Sequence, residues 1–147
     1  MTFHLAQLNI ATLLAPIDDP RTAPFTDALP EINALGEASP GFVWRLQTDE
    51  GDATALRAFP DPATIANLTV WESIDALKAF AYRTAHADFF KRRAEWFAPE
   101  GRATVLWWVP AGHRPDLDEA KERLAHLREH GPTDHAFTFA APQPPPA

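Results

Sequence analysis

Apolar and polar positions alternate with a period of two over four stretches of this chain and recur at helical spacing over three, and the order of these patterns outlines a fold. Phe3 to Ile10 predicts a first strand, with Phe3, Leu5, Gln7 and Asn9 on one face and His4, Ala6, Leu8 and Ile10 on the other. Phe25 to Gly36 carries Leu29, Ile32 and Leu35 at helical spacing and stops at a glycine; Pro30 inside it predicts an irregular or late-starting helix. After Pro40-Gly41, Phe42 to Thr48 alternates Phe42, Trp44 and Leu46 against Val43, Arg45 and Gln47. Asp49 to Ala66 is polar and interrupted by Pro60 and Pro62. It reads as a long loop, expected to be the most mobile internal segment and to lie near a pocket mouth.

Asn67 to Ser73 predicts a third strand around Leu68 and Val70, and Ser73 or Asp75 can cap a long helix from Ile74 to Phe97. At about 100° per residue that helix has two stripes, Phe80, Ala87, Phe90 and Phe97 on one and Tyr82, His86, Phe89, Arg93 and Trp96 on the other. The second mixes donors, a titratable ring and aromatics, which suits a pocket wall or a subunit interface. Ala103 to Val109 predicts a fourth strand whose neighbours Trp107 and Trp108 point to opposite faces. Asp116 to Glu129 predicts a helix capped by Asp116, with Leu117, Ala120, Leu124 and Leu127 inward. Ala136 to Phe139 can add a short edge strand, and Ala141 to Ala147 is a proline-rich tail not expected to pack.

The order β-α-β-β-α-β is the split βαβ arrangement of a ferredoxin-like α+β sheet, with both main helices on one face. The other face is left bare in that arrangement, although strands two and four are apolar on both sides. A second copy related by two-fold symmetry is the simplest cover, so a homodimer forming a dimeric α+β barrel is expected, with an extra C-terminal helix. The 147 residues suffice for one domain, expected over residues 1–140 with a flexible tail over 141–147.

Composition removes several function classes. A net charge of −7 opposes binding to phosphate backbones, and the basic residues are scattered apart from Lys91, Arg92 and Arg93. The absence of cysteine excludes thiolate metal sites and thiol nucleophiles and fits a reducing cytoplasm. With no apolar run long enough to cross a bilayer and no signal-like first residues, a cytoplasmic protein without membrane or nucleic-acid partners is expected. No nucleophile elbow or glycine-rich phosphate loop occurs. His4, His113, His126, His130 and His135 show no metal-ligand spacing, His126 and His130 standing one turn apart on the charged side of a helix.

The segments NLTVWES, HADFFKRRAEWF, LWWVPAGHRP and RLAHLREHGPTDHAFTF together resemble a bacterial family known as domain of unknown function 3291, over nearly the whole chain. That resemblance implies the dimeric α+β barrel fold and names no reaction. The W-E-S-x-x-A-L pattern around Trp71 is similar to that of antibiotic-biosynthesis monooxygenases, which oxidise electron-rich phenolic or anthrone substrates without metal or flavin. Haem-degrading members of that superfamily use an asparagine on the first strand, a tryptophan on the third and a histidine on the following helix; Asn9, Trp71 and His86 stand on those elements here.

Cofactor-free oxidation needs a base for a phenolic proton, donors for the resulting anion, and aromatic walls that orient a flat ligand and exclude water. His86 is the candidate base and Tyr82, one turn away, a relay or donor. Asn67 and Trp71 share a strand face and can offer an amide and an indole N–H. Asn9, Trp44, Phe89 and Arg93 complete the expected ligand contacts. Arg45 needs a carboxylate or an anionic ligand, and Glu72 on the next strand is its expected partner. Three readings follow: a cofactor-independent monooxygenase acting on a small flat, largely apolar molecule, a haem protein with His86 as ligand, and a non-catalytic ligand-binding or interaction module.

Overall fold

The computed structural model describes residues 2–15, 18–46, 64–83, 91–98 and 103–146. The alternating stretches form β1 (Phe3–Thr12), β2 (Phe42–Arg45), β3 (Thr64–Trp71) and β4 (Thr104–Pro110). They make one antiparallel sheet in the order β2-β3-β1-β4. Helices α1 (Ala23–Glu37), α2 (Ile74–Arg83) and α3 (Leu117–His130) complete a ferredoxin-like α+β fold with an added C-terminal helix. No helix among the described residues is long and apolar enough to cross a membrane.

Local chemistry explains where the elements begin and end. α1 starts two residues before the expected Phe25, with a proline in its first turn, and runs unbroken through Pro30. Pro30 lies on the exposed side, where water can satisfy the carbonyl its missing N–H leaves open. Ser73 caps α2 by accepting from the Ala76 amide at 3.1 Å, as its position predicts. Asp116 caps α3 by accepting from Glu119 N at 2.8 Å. Gly41 has a φ of 84°, and any Cβ there would collide with Ala76 Cβ, so the turn into β2 requires glycine for two reasons.

Three expected boundaries shift. β3 begins at Thr64, so the end of the supposed loop Asp49 to Ala66 is strand; residues 47–63 lie outside the described residues. The expected continuous helix from Ile74 to Phe97 is not formed. Beyond residues 84–90, which also lie outside the described residues, Arg93–Glu95 is a single 3-10 turn and Phe97 bridges to Leu13, just past the end of β1. The two helical stripes therefore do not extend to Arg93, Trp96 and Phe97. In β2, a register shift between Phe42 and Trp44 inserts Val43 as an extra residue. Phe42 and Trp44 then face opposite sides of the sheet, against the strict alternation read from the sequence.

The face expected to be bare is covered by α3. Ala120, Leu124 and Leu127 pack on Ala6, Leu8, Val70, Val105 and Trp107. The extra helix supplies that layer from within the chain. Glu119 fixes α3 to the sheet. One carboxylate oxygen accepts from the Trp107 indole at 2.9 Å and the other lies 2.7 Å from His113 Nε2. The LWWVPAGH segment is thus a structural clasp.

The tail departs from expectation. The Phe137 backbone pairs with Leu106 on the outer edge of β4, as the predicted edge strand requires, but Gln143 is also held, its carbonyl accepting from the Trp108 indole at 2.9 Å. Deleting Pro142 to Ala147 removes that acceptor and is expected to lower unfolding stability by about 1–3 kcal/mol in a denaturant titration. A loss below about 0.5 kcal/mol, the range of ordinary surface changes, would show that water replaces the tail.

Candidate ligand-binding site

The sheet face opposite α3 carries a pattern of rows fixed by strand register. Phe42, Trp71, Leu5 and Trp108 stand side by side across β2, β3, β1 and β4. Two residues along, roughly 7 Å away, come Arg45, Thr69, Gln7 and Leu106, then Asn67, Asn9 and Thr104, then Ile65 and Ala11. An aromatic row is followed by two largely polar rows, and α1 and α2 arch over them without filling the space. The result is a cavity of about 940 Å3, within the range of small-molecule sites. Phe25, Leu29 and Ile32 of α1 and Leu77 and Phe80 of α2 form its roof.

Aromatic clusters bracket the polar belt. At one end Trp71 meets Phe42 edge-on at 5.4 Å and stacks on Phe80 at 5.3 Å between centroids. At the other, Phe25 packs edge-on against Phe97 at 4.9 Å and near Trp96 at 6.0 Å, with the Arg92 guanidinium over the Trp96 ring. Glu95 receives two hydrogen bonds from Arg92, which hold its carboxyl below the usual carboxylate range. This lowered value makes the exposed clasp present at neutral pH and lost only in acid.

Between the clusters runs a relay of buried polar groups. The Trp71 indole donates to Thr69 Oγ1 at 2.9 Å, the Thr69 hydroxyl donates to Gln7 Oε1 at 3.3 Å, and Gln7 Nε2 donates to the Asn67 carbonyl at 3.2 Å. Each side chain of this relay donates to the next group along it, which fixes the amide and hydroxyl orientations of the cavity floor.

The expected site residues divide. Asn9, Asn67, Trp71, Tyr82 and Arg93 all line the cavity. Asn9 accepts from Thr104 Oγ1 at 3.2 Å, and the side chains of Asn9 and Asn67 are exposed to the cavity space. Trp71 is only 1 % exposed, and its indole N–H, expected to be offered to a ligand, donates to Thr69. Tyr82 is 49 % exposed, with its ring edge-on to Phe139 at 6.0 Å. Trp44 is misplaced by the sequence reading: the β2 bulge turns it onto the α3 face, beside Arg114. Arg45 also differs, pairing with Glu37 at 3.1 Å in place of Glu72 because the same bulge turns it toward α1. His86 and Phe89 lie outside the described residues.

Sequence reasoning missed Gln7, Thr69 and the aromatic pair Phe42 and Phe80. A usable signal existed for the first two, polar side chains on the same strand faces as Asn9 and Asn67 and closer to the apolar core. Away from the cavity, the rings of His130 and His135 flank His126 at 4.4 and 4.6 Å, and His135 bonds Glu122 at 2.8 Å. Among the described residues no group of three or more His, Asp or Glu side chains is arranged to hold a metal ion.

Solved structures similar to the chain include SnoaB, a cofactor-independent oxygenase from Streptomyces nogalater, with 16% identity, 77% of this chain and 98% of that one covered, and a TM-score of 0.46. A candidate antibiotic biosynthesis monooxygenase of Nitrosomonas europaea has 14% identity, coverage of 78% and 94%, and a TM-score of 0.47. A conserved protein of Methanosarcina mazei has 13% identity, coverage of 74% and 92%, and a TM-score of 0.48. No curated protein matches the sequence. The domain of unknown function DUF3291 matches residues 4–147, and the chain belongs to that family.

Proposed function

We propose that this chain binds a flat, largely apolar small molecule in the cavity between the sheet and helices α1 and α2, and oxidises it with dioxygen without a tightly bound cofactor. The cavity carries the reading: about 940 Å3 of space with aromatic walls at both ends and a belt of amides between them. Such walls favour planar ligands by area and by ring stacking, and the belt orients them. In this reading His86 accepts a phenolic proton, Tyr82 relays or donates, and the Asn9 and Asn67 amides hold the oxyanion. The electron-rich ring then reduces dioxygen. A ring methylene becomes a carbonyl, one oxygen atom enters the ligand, and the second leaves as water with the two methylene hydrogens.

A haem reading needs an axial ligand. The described lining residues include no imidazole, thiolate or thioether but do include the Tyr82 phenol, so that reading would rest on His86 or Tyr82. Incubating the purified protein with a quinol or an anthrone in an oxygen electrode tests the proposal. Oxygen uptake by a colourless protein supports it. A Soret band that vanishes in His86→Ala would replace it with the haem reading, and tight binding without any uptake would leave a non-catalytic binding module.

A further inference from the structure

We infer that Gln7 sets the ligand specificity of this cavity: its side-chain amide is locked so that it presents an N–H, and the site selects planar ligands with a hydrogen-bond acceptor at that point over those with a donor. This specificity builds on the small-molecule reading above and adds the hydrogen-bonding character of the ligand. Two groups of fixed character hold the Gln7 amide from its two ends. The Trp71 indole can only donate, and it donates to Thr69 Oγ1 at 2.9 Å. The Thr69 hydroxyl then donates its own proton to Gln7 Oε1 at 3.3 Å. The Asn67 backbone carbonyl can only accept, and it takes an N–H of Gln7 Nε2 at 3.2 Å. Turning the amide over would set Oε1 against the Asn67 carbonyl oxygen and leave the Thr69 proton facing an NH2 group. Both changes leave buried polar atoms unpaired, since Gln7 and Thr69 are each only 7 % exposed. The amide therefore has one orientation.

That orientation leaves one group over. Nε2 carries two N–H bonds, and Asn67 takes one of them. Gln7 also lines the cavity, so its second N–H is a donor for a ligand, at a nearly buried position where an unmet donor is costly. A ring carbonyl or an equivalent oxygen satisfies it, whereas a ligand N–H at the same point sets donor against donor and leaves both unmet. The Asn67 side chain, in the neighbouring row, is exposed and can turn either its oxygen or its nitrogen toward a ligand. Only the locked amide imposes a choice.

Three tricyclic probes of nearly one shape test this at a single position, where fluorenone carries a carbonyl, carbazole an N–H and fluorene a methylene. Equilibrium dialysis against the full chain is expected to show fluorenone bound about tenfold more tightly than carbazole, with no gain for carbazole over fluorene. The infrared carbonyl stretch of bound fluorenone should lie below its position in a hydrocarbon solvent. Gln7→Met, of similar length and without an N–H, should lower the fluorenone-to-carbazole ratio about tenfold and return the stretch toward the hydrocarbon position. A ratio or a stretch unchanged in Gln7→Met with a native unfolding midpoint would overturn the inference. Should that variant not fold, the unaltered protein decides alone: carbazole bound as tightly as fluorenone, or a bound carbonyl at its hydrocarbon position, would equally overturn it. Ala28→Trp, which fills the cavity from α1, should weaken all three probes. Probes weakened by Ala28→Trp but not told apart would overturn the specificity and leave the cavity reading in place, whereas binding unaffected by Ala28→Trp would overturn both. Only binding is read, so the presence or absence of oxygen uptake bears on the reaction alone.

Discussion

Trp107→Ala is expected to lower the unfolding free energy by about 3–5 kcal/mol, read as a shift of the midpoint in guanidinium or urea. Trp107 is fully buried between β4 and α3, where its ring occupies the centre of the larger apolar cluster. Its removal leaves a void that the paired strands cannot collapse to fill. It also takes the indole donor from Glu119, whose other oxygen serves His113. Trp107→Phe separates the two contributions, since it keeps most of the volume and loses only a charge-assisted hydrogen bond, about 1.5–3 kcal/mol. Because Trp107 faces away from the cavity, ligand affinity of the folded Phe variant should stay at the level of the unaltered protein. A loss below about 1 kcal/mol for Trp107→Ala would show that α3 does not form the missing layer of the core.

His86→Ala carries the largest expected effect on activity, a fall in turnover of about 10²–10⁴-fold, the usual contribution of a positioned general base. Ligand affinity should change far less, because the aromatic walls and the amide belt are supplied by β1, β3, α1 and α2. Tyr82→Phe, which removes only the hydroxyl, should retain part of the rate if Tyr82 is a relay. A structural role for His86 predicts the reverse pattern, a stability loss of about 1–3 kcal/mol with turnover per folded molecule unchanged. Measuring the unfolding midpoint and turnover on the same preparation decides between them.

The alternation of apolar and polar residues determined the four strands, and their order with the helices determined the ferredoxin-like fold, because sheet packing demands period two and helix packing a period near 3.6. Leu5, Gln7 and Asn9 were legible as one face of β1 for this reason, and Ser73 and Asp116 were legible as caps because their side chains satisfy local amide groups. Asn67 and Trp71, two turns of the pleat apart, were correctly placed on one face by the same rule. What failed was whatever depended on contacts distant in sequence.

The bulge at Val43 inverted the faces of Trp44 and Arg45, since one extra residue in a strand reverses all that follows and is stabilised only by its partner strand. Helical spacing carried the apparent stripe through to Phe97, yet pairing with Leu13, just past the end of β1, placed that residue in a bridge. The tail looked free because proline cannot donate, but a carbonyl at Gln143 needs only to accept. The bare face that seemed to require a second copy was covered by α3, a helix whose inward residues were read correctly and whose destination was not. The sequence by itself determined which side chains must be buried and with what periodicity; the tertiary structure alone decided which surfaces meet, and with them the cavity and the partners of Trp71, Trp107 and Arg45. The physical reason is that periodicity is a property of neighbouring residues, whereas a cavity is bounded by elements whose separation is set by how every other layer packs.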